Sequence, residues 1–191
     1  MTLFNFSPQL MREALPVRKE LQLQFLGENL SVVLHVLQTE YPQQFKEIED
    51  ILKSAVLELE ELTTGLTPHE PGRTYTRIRE KGLKISIPAW GMSDDTLRLL
   101  GHLATLYLPI LPLLVCFEEP ENYVHPRLLE LIVNLLKNAS EKTQVLVTTH
   151  SPYLVDFLQP EDLYIVEKQN GETQIKKAED KKGIREALRT Y

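Results

Sequence analysis

The second half of the chain alternates apolar, strand-like runs with amphipathic, helix-like segments, and this alternation limits the fold more than any other feature. Leu113–Phe117 (LLVCF) is a continuous apolar run, typical of a strand buried on both faces, and Gln144–Thr149 is predicted to be a second buried strand. Helices are predicted from Ser93 to about Leu106 and over Pro126–Asn138. Strands joined by helices form parallel sheets, so we expect an α/β fold with a largely parallel sheet flanked by helices.

The first part of the chain is predicted to be mainly helical. Its expected elements are a short strand within Thr2–Ser7, a helix-like stretch over Leu10–Leu15, a helix through Leu30–Leu37, a helix from Phe45 to about Glu61, a loop over Thr63–Gly72 and a small β-hairpin around Lys81-Gly82. Further strands are predicted over Leu163–Glu167 and Thr173–Lys177, followed by a helix from Lys181. We therefore divide the chain into a mainly helical segment (1–72) and an α/β lobe (73–191).

The composition excludes several classes of protein. Of the 191 residues, 42% are hydrophobic and 25% charged, which excludes a wholly disordered chain and a collagen-like repeat. The net charge of −6 argues against a broadly basic nucleic-acid binder. Cys116 is the single cysteine, so no intramolecular disulfide can form. With no signal-peptide pattern at the N-terminus, a cytoplasmic location is expected.

One charge-free stretch, from Leu99 to Phe117, has nearly the length of a membrane-spanning helix. Gly101, Pro109 and Pro112 interrupt it, and a proline inside a helix removes a hydrogen bond and clashes with the preceding turn. We therefore expect a helix that ends near Tyr107 and a buried strand that begins near Leu113. No membrane contact is expected.

Polar side chains follow both predicted buried strands directly. Glu118 and Glu119 end the first strand, and His150 follows the second. Ligands of parallel α/β sheets bind beyond the carboxyl ends of the strands. One carboxylate there can hold Mg²⁺ while the next polarises an attacking water, as in phosphoryl transfer. Taken singly, each has a plainer alternative: an acidic strand end in solvent, or a hydrogen-bonded structural histidine.

A third candidate lies at the start of the helix that Ser93 opens. Ser93 is a favourable N-cap residue, and a helix N-terminus presents free N–H groups to an anion. The plainer alternative is an ordinary capped helix. The order of the three segments is more specific than any one of them: S-D-D-T (Ser93–Thr96), then E-E-P-E-N-x-x-H-P (Glu118–Pro126), then T-T-H-S-P (Thr148–Pro152).

This order of motifs resembles the ABC-type ATPases, in particular the predicted ATPases of the SMC/RecF/OLD-like group. The resemblance implies the C-terminal lobe of a P-loop NTPase fold, with ATP and Mg²⁺ as cofactors. It also implies a role for each motif. The signature motif, which contacts nucleotide across a dimer, would be Ser93, Asp94, Asp95 and Thr96, and the D-loop would include Glu121, Asn122 and His125. Leu113–Glu119 would be the Walker B strand, with Glu118 as the acid on the Mg²⁺ side and Glu119 as the general base, and His150 would be the switch histidine.

Three features depart from this family pattern. The minor one is Glu118, which stands where wider ABC proteins commonly have aspartate, although this subgroup often has glutamate. The glycine position of the signature motif is Asp95, and a carboxylate there repels phosphate unless it turns away or binds a cation. No Gly-Lys dipeptide occurs, so the Walker A motif G-x-x-x-x-G-K-[ST] is absent from the sequence.

The leading hypothesis is therefore a partial ATPase lobe. It would act with a Walker A-bearing chain or segment, or as a homodimer, and we expect it to be inactive alone. The alternative is a non-catalytic interaction or regulatory protein that retains the fold.

The remaining candidates indicate less. The other histidines lack metal-ligand spacing, which argues against zinc: His35, His69, His102 and His125. A basic C-terminal cluster could contact DNA, although a solvated face is the commoner outcome: Lys176, Lys177, Lys181, Lys182, Arg185 and Arg189. Glu118 and Glu119 are a poor glycosidase pair, because adjacent strand residues point to opposite faces.

Overall fold

The computed structural model describes residues 1–68, 70–178 and Ile184. This part of the chain contains a parallel sheet, an antiparallel sheet and a C-terminal hairpin, together with the helices that cover the two sheets. The strands are β1 (Thr2–Phe4), β2 (Leu15–Pro16), β3 (Leu59–Leu66), β4 (Arg73–Glu80), β5 (Ile87–Pro88), β6 (Leu114–Glu118), β7 (Gln144–Thr148), β8 (Tyr164–Gln169) and β9 (Glu172–Lys177). The helices are α1 (Pro8–Met11), α2 (Leu30–Glu40), α3 (Pro42–Ala55), α4 (Asp94–Leu106), α5 (Leu129–Ser140) and α6 (Pro152–Asp156).

The parallel sheet has the order β1-β6-β7, with β6 in the centre. The register places Phe4, Phe117 and Val147 side by side. The apolar run of β6 is buried at Val115, Cys116 and Phe117, as its composition predicts. The expectation of an α/β fold with a parallel sheet flanked by helices is confirmed.

The two faces of the parallel sheet differ in burial. Phe4, Phe117 and Val147 belong to the main apolar core, together with residues of α4 and α5. The opposite face includes Leu3, which is 42% exposed, and Leu146, which is 57% exposed. The prediction that Gln144–Thr149 is a buried strand is therefore wrong for this face. The reason is that, in the part of the chain the structure describes, the main core packs against only one face of β7, so exposure alternates along the strand.

The antiparallel sheet replaces part of the predicted helix and loop. α3 ends at Ala55, not near Glu61, and β3 takes in the first four residues, Thr63 to Leu66, of the stretch predicted as loop. β3 pairs with β4 along its length, and Thr74, Thr76 and Ile78 of β4 point inward. Ladder pairing with the next strand of the chain thus overrides the local turn signals of the Pro and Gly residues in 63–72.

The predicted hairpin is also placed differently. β4 pairs mainly with β3, which precedes it in the chain. After Gly82 the chain returns to β4 only over Ile87–Pro88. The helix-like stretch near the N-terminus is likewise shorter than predicted, because α1 ends at Met11 and Leu15 lies in β2.

The helices of the α/β part begin and end close to the predicted positions. α4 starts after Ser93, whose side chain accepts a hydrogen bond from the Thr96 N–H, and ends at Leu106. A short 3₁₀ turn at Pro126–Leu128 leads into α5. In the stretches 1–68 and 70–178, no helix combines the length and apolar character needed to cross a membrane.

The main core extends across residue 72, the boundary of the predicted division. It contains Leu34 and Leu52 from the first segment as well as Leu100 and Ile132 from the second. β1 of the first segment pairs with β6 of the second. The division into 1–72 and 73–191 stays a prediction.

The last two strands do not join the parallel sheet. β8 and β9 pair with each other as an antiparallel hairpin, although the alternation of the sequence suggested strands of the main sheet. Several residues of the sequence analysis lie outside the described residues: the predicted helix from Lys181, His69, and the basic residues Lys181, Lys182, Arg185 and Arg189.

Candidate functional site

The carboxyl ends of β6 and β7 bring the acidic residues and the histidine together. Glu118 lies opposite Thr148 in the parallel register, and the Glu119 N–H donates to the Thr148 carbonyl at 2.9 Å. Parallel neighbours end at the same edge of a sheet, so His150, two residues after β7, reaches the side of Glu119. His150 Nε2 lies 4.0 Å from Glu119 Oε1.

Glu118 is held from the neighbouring strand β1. Asn5, directly after β1, donates from Nδ2 to Glu118 Oε2 at 3.2 Å. The sequence analysis did not identify Asn5, which lies 113 positions away in the chain. A signal was available nonetheless, because Thr2–Ser7 was predicted as a strand and its carboxyl end would meet that of β6.

Glu119 occupies a turn in which its carboxylate is fixed. Its φ is 44°, in the left-handed region that non-glycine residues seldom adopt. The Asn122 side-chain amide donates to Glu119 Oε2, and the Asn122 N–H donates to the Glu119 carbonyl at 3.1 Å. Asn122, predicted as a D-loop residue, therefore orients the carboxylate of Glu119 in this structure.

Glu121 points back toward the end of β7. The Thr149 hydroxyl donates to Glu121 Oε1, while Oε2 is buried with no hydrogen-bond partner in the described part of the chain. Thr149 Oγ1 in turn accepts from the Ser151 N–H at 3.0 Å. The segments after β6 and β7 are thus joined by a side-chain bridge that the sequence analysis missed.

His125 has a local partner. Its Nδ1 accepts from the Arg127 N–H at 3.2 Å, so it caps the 3₁₀ turn at Pro126–Leu128, and its side chain is exposed. This cap uses the histidine as a hydrogen-bond acceptor away from Glu119.

The S-D-D-T segment is engaged in capping α4. The Thr96 N–H donates to Asp95 Oδ1 at 2.8 Å, and the Ser93 hydroxyl donates to the same oxygen. Asp94 pairs with Arg12, whose guanidinium also donates to the Met92 carbonyl at 2.6 Å. The Asp95 carboxylate therefore occupies donors that an anion would use.

The structure does not bring this segment into direct contact with the glutamates. Among the described residues, no hydrogen bond or ion pair links Ser93–Thr96 to Glu118 or Glu119. The connection runs through Arg98, further along α4, whose Nη2 donates to the Glu119 carbonyl at 2.9 Å. Burial lowers the pKa of Arg98, and the nearby Glu121, Tyr123 and Glu119 oppose that shift.

His102 lies one turn beyond Arg98 on the same helix. Its ring packs against Phe6 and Phe117 at centroid distances of 5.1 and 5.0 Å. Burial, and then the charge of Arg98, lowers the pKa of His102 to about 3, against a smaller opposing effect of the Pro120 backbone. His102 is therefore neutral near pH 7 and unsuited to a titrating role there.

The donor set suits a metal ion that is shared with a ligand better than one held by protein alone. Within residues 1–68 and 70–178, no three His, Cys, Asp or Glu side chains are grouped to hold a metal. Mg²⁺ is usually bound through one or two carboxylates, with water and phosphate oxygens completing the shell. The Glu118 carboxylate, fixed by Asn5 at the strand end, fits such a single-carboxylate contact.

The fold is that of an α/β domain with a parallel sheet flanked by helices, and it resembles the fold of SMC ATPase heads. Residues 3–156 match a family described as "AAA domain, putative AbiEii toxin, Type IV TA system". The chain belongs to this AAA-domain family, and its function is accordingly of the nucleotide-binding ATPase type. Among curated proteins, none matches the chain significantly.

Solved structures of SMC ATPase heads share the fold. A structure from work on ATP-driven dimerization and DNA-stimulated activation of SMC ATPases aligns with a TM-score of 0.60 and 14% identity, covering 82% of this chain and 97% of that one. A SmcHead bound to the C-winged helix domain of ScpA aligns at 0.61 and 11%, covering 84% and 56%. The SMC head domain from Thermotoga maritima aligns at 0.51 and 18%, covering 76% and 51%. At these identities the likeness establishes the fold alone.

Proposed function

We propose that this chain is the lobe of an ABC-type ATPase that supplies the Walker B, signature and switch-histidine residues, and that it hydrolyses ATP together with a Walker A-bearing chain or segment. One observation carries the proposal. Glu118 and Glu119 meet His150, which follows Glu119 by 31 positions in the chain, at the carboxyl ends of two neighbouring parallel strands. Ligands bind at that edge in open α/β sheets.

Glu119 is assigned the role of general base. Its carboxylate is held on one oxygen by Asn122 and faces His150 with the other. A fixed carboxylate can accept a proton from an attacking water at this oxygen, which is the positioning task in phosphoryl transfer. His150, with 77% of its side chain exposed, is free to donate a hydrogen bond to a phosphate oxygen.

Glu118 is assigned to the Mg²⁺ side of the site. When bound there, Mg²⁺ would neutralise charge on the phosphate oxygens. Asn5 holds one carboxylate oxygen of Glu118, so the orientation of the carboxylate is set before ligand arrives. Glu121 braces the turn against Thr149, and His125 caps the helix that follows.

The parallel sheet supports the need for a second segment. All-parallel sheets are almost always covered on both faces, whereas this one exposes Leu3 and Leu146 on the face opposite α4 and α5. β7 also has an unpaired edge among the described strands. An open groove of about 960 Å³ follows β7, and His150 is one of its lining residues. A Walker A-bearing segment placed here would cover apolar surface next to the catalytic residues.

One specific observation favours the alternative, a non-catalytic interaction or regulatory protein with the same fold. The Asp95 carboxylate occupies the Thr96 N–H and the Ser93 hydroxyl, which are donors that a signature motif would offer to phosphate across a dimer. In the catalytic hypothesis Asp95 turns away when nucleotide arrives. In the alternative it stays as a permanent helix cap.

The experiment is an ATP hydrolysis assay on the complex of this chain with a Walker A-bearing segment. The first candidate for that segment is any G-x-x-x-x-G-K-[ST] product of the adjacent upstream reading frame. We expect Mg²⁺-dependent turnover that falls by about a thousandfold in Glu119→Gln. Glu130→Gln, an exposed glutamate on α5, is the matched control and should keep wild-type turnover. Complex formation without any turnover would establish the alternative.

A further inference from the structure

Arg98 is among the most deeply buried large side chains of the protein. It lies in the second turn of α4, five residues after the N-cap Ser93, and is 1% exposed. Its Nη1 donates to the Phe6 carbonyl, after β1, and its Nη2 donates to the Glu119 carbonyl, after β6. One guanidinium therefore links α4 to the ends of two adjacent strands.

The same side chain contacts both strained positions of the turn at residues 119–123. Glu119 and Tyr123 have φ values of 44° and 57°, in the left-handed region that is costly for residues with a side chain. Arg98 contacts the first of these positions through its hydrogen bond to the Glu119 carbonyl. It contacts the second position through the ring of Tyr123, whose centre lies 5.8 Å from Arg98 Cζ. Such conformations persist only where the surroundings over-determine them.

A role in core packing alone would not explain this choice of residue. Arg98 Nε is buried without a hydrogen-bond partner among the described residues, so the side chain is incompletely satisfied. An apolar side chain of similar volume avoids that penalty. What an apolar side chain lacks is a planar fork that can bind two main-chain carbonyls and stack on a ring at once.

We propose that Arg98 is a positioning residue, which holds the turn at residues 119–123 in its left-handed conformation and so directs the Glu119 carboxylate toward His150. The functional meaning of that direction rests on the role proposed for Glu119. Because Arg98 lies on the helix that Ser93 caps, a displacement of α4 would move the Glu119 backbone through the hydrogen bond from Arg98 Nη2 to the Glu119 carbonyl.

Amide hydrogen exchange of the full chain tests the proposal without nucleotide. In Arg98→Met we expect the Asn122 and Val124 amides, which donate to Glu119 and Glu121 within the turn, to exchange about tenfold faster. Leu52→Ala, a cavity in the core at a fully buried position of α3, is the matched control. It should accelerate core-strand amides but change those two turn amides less than about twofold.

If Arg98→Met does not fold, Arg98→Lys replaces it, since lysine keeps the charge without the fork, and about threefold faster turn exchange is expected. If the turn amides of the folded variant exchange at unchanged rates, the positioning role is contradicted and Arg98 is only a core residue. The same follows if exchange becomes faster throughout the core, as in Leu52→Ala.

A second measurement separates positioning from packing. Tyr123→Gly removes the strain at one left-handed position and the stacking ring at the same time. In the Arg98→Met background the stacking is already lost, so the added Tyr123→Gly should restore turn protection to within about threefold of wild type. A further loss of protection in the double variant would contradict the proposal, because a packing defect does not recover when another side chain is removed.

In the ATP-hydrolysing complex, Arg98→Lys should lower kcat about tenfold and leave KM for ATP within about twofold. A raised KM with unchanged kcat would overturn the positioning role. The two proposals fail separately: if Glu119→Gln leaves turnover intact, the proposed function falls, while the exchange results still decide whether Arg98 holds the turn.

Discussion

His102 is an ionisable side chain placed where its charged form is unfavourable. It packs between Phe6 and Phe117, directly behind the strand that carries the two glutamates. Its pKa is lowered to about 3, first by burial and then by Arg98. In the unfolded chain the imidazole would titrate near 6.5, so between about pH 6.5 and 3 the unfolded state binds a proton that the native state does not. Stability should therefore fall as the pH falls through this range.

The substitution His102→Leu removes this coupling between proton binding and stability. Between pH 7 and pH 5 the wild-type chain should lose about 2 kcal/mol more of its free energy of unfolding than the variant does. Urea titrations at each pH provide the measurement. Leu100→Ala, at a fully buried position of α4 without a titratable group, is the control, and its free energy of unfolding should change with pH as that of the wild type does. Parallel wild-type and His102→Leu profiles would show that His102 is not buried in its neutral form.

The residues that the sequence identified and those that it missed differ in a simple way. Glu118, Glu119 and His150 follow apolar strands, so local pattern and family resemblance both point to them. Asn5 and Arg98 act through partners 113 and 92 positions away, and nothing in their own neighbourhoods indicates those contacts. Two indirect signals are available: the predicted strand within Thr2–Ser7 for Asn5, and a charged residue inside an apolar helix stripe for Arg98.

At the scale of elements, the N-terminus of α4 combines a good helix cap with an obstacle to anions. Asp95 takes the Thr96 N–H and the Ser93 hydroxyl, and its negative charge lies at the positive end of the helix dipole. An isolated helix benefits from this arrangement. A signature motif that must accept a phosphate from across an interface does not.

Asp95→Asn tests this conflict, because the amide oxygen still caps the helix while the charge is gone. Nucleotide-dependent association of the complex should tighten by about tenfold, and thermal stability should change by less than about 0.5 kcal/mol. Asp95→Gly, as comparison, should cost about 1 kcal/mol of stability, because glycine has a low helix propensity and lacks the acceptor for the Thr96 N–H. Association that is indifferent to both substitutions would mean that Asp95 does not face nucleotide. The two quantities can be read from sedimentation with Mg-ATP and from thermal melts.

The strand β7 has one face in the core and one face open, and the difference predicts opposite outcomes for neighbouring substitutions. Leu146→Lys should change the stability of the chain by less than about 0.5 kcal/mol, since Leu146 is exposed. It should nevertheless abolish binding of the Walker A-bearing segment, because it places a charge on apolar surface that the segment would bury.

Val147→Lys is the matched control, as Val147 packs against the main core. It should destabilise the chain by more than about 2 kcal/mol, measured by urea unfolding. Unimpaired binding of the segment to Leu146→Lys would place the interface elsewhere.

Element prediction failed where local turn and helix signals competed with strand pairing. The helix periodicity of α2, α4 and α5 is local, and those helices were predicted within a few residues of their observed ends. The sequence predicts a helix end and a loop at β3, because the Pro and Gly residues of 63–72 give turn signals, whereas the stretch forms a hairpin with β4 that begins at the pair Leu66–Thr74. The exposure of β7 was missed because an apolar composition indicates burial without telling which element supplies the cover.

For the whole molecule, the parallel sheet is the feature that connects fold to function. In the three-stranded sheet, β6 and β7 bring Glu118, Glu119 and His150 together at their carboxyl ends, and helices cover one face of the sheet. The opposite face and the outer edge of β7 stay open among the described residues. In the proposed function this chain is half of a catalytic unit: its hydrolytic residues are preformed, and another segment contributes the phosphate-binding loop G-x-x-x-x-G-K-[ST].

The most direct test of that central claim is phosphate release from Mg-ATP by this chain alone and with the Walker A-bearing segment added. We predict negligible release from the isolated chain, and Mg²⁺-dependent turnover that appears only when the segment is present and depends on Glu119. Turnover by the isolated chain that disappears in Glu119→Gln would contradict the account, since the residues of this chain would then suffice for hydrolysis.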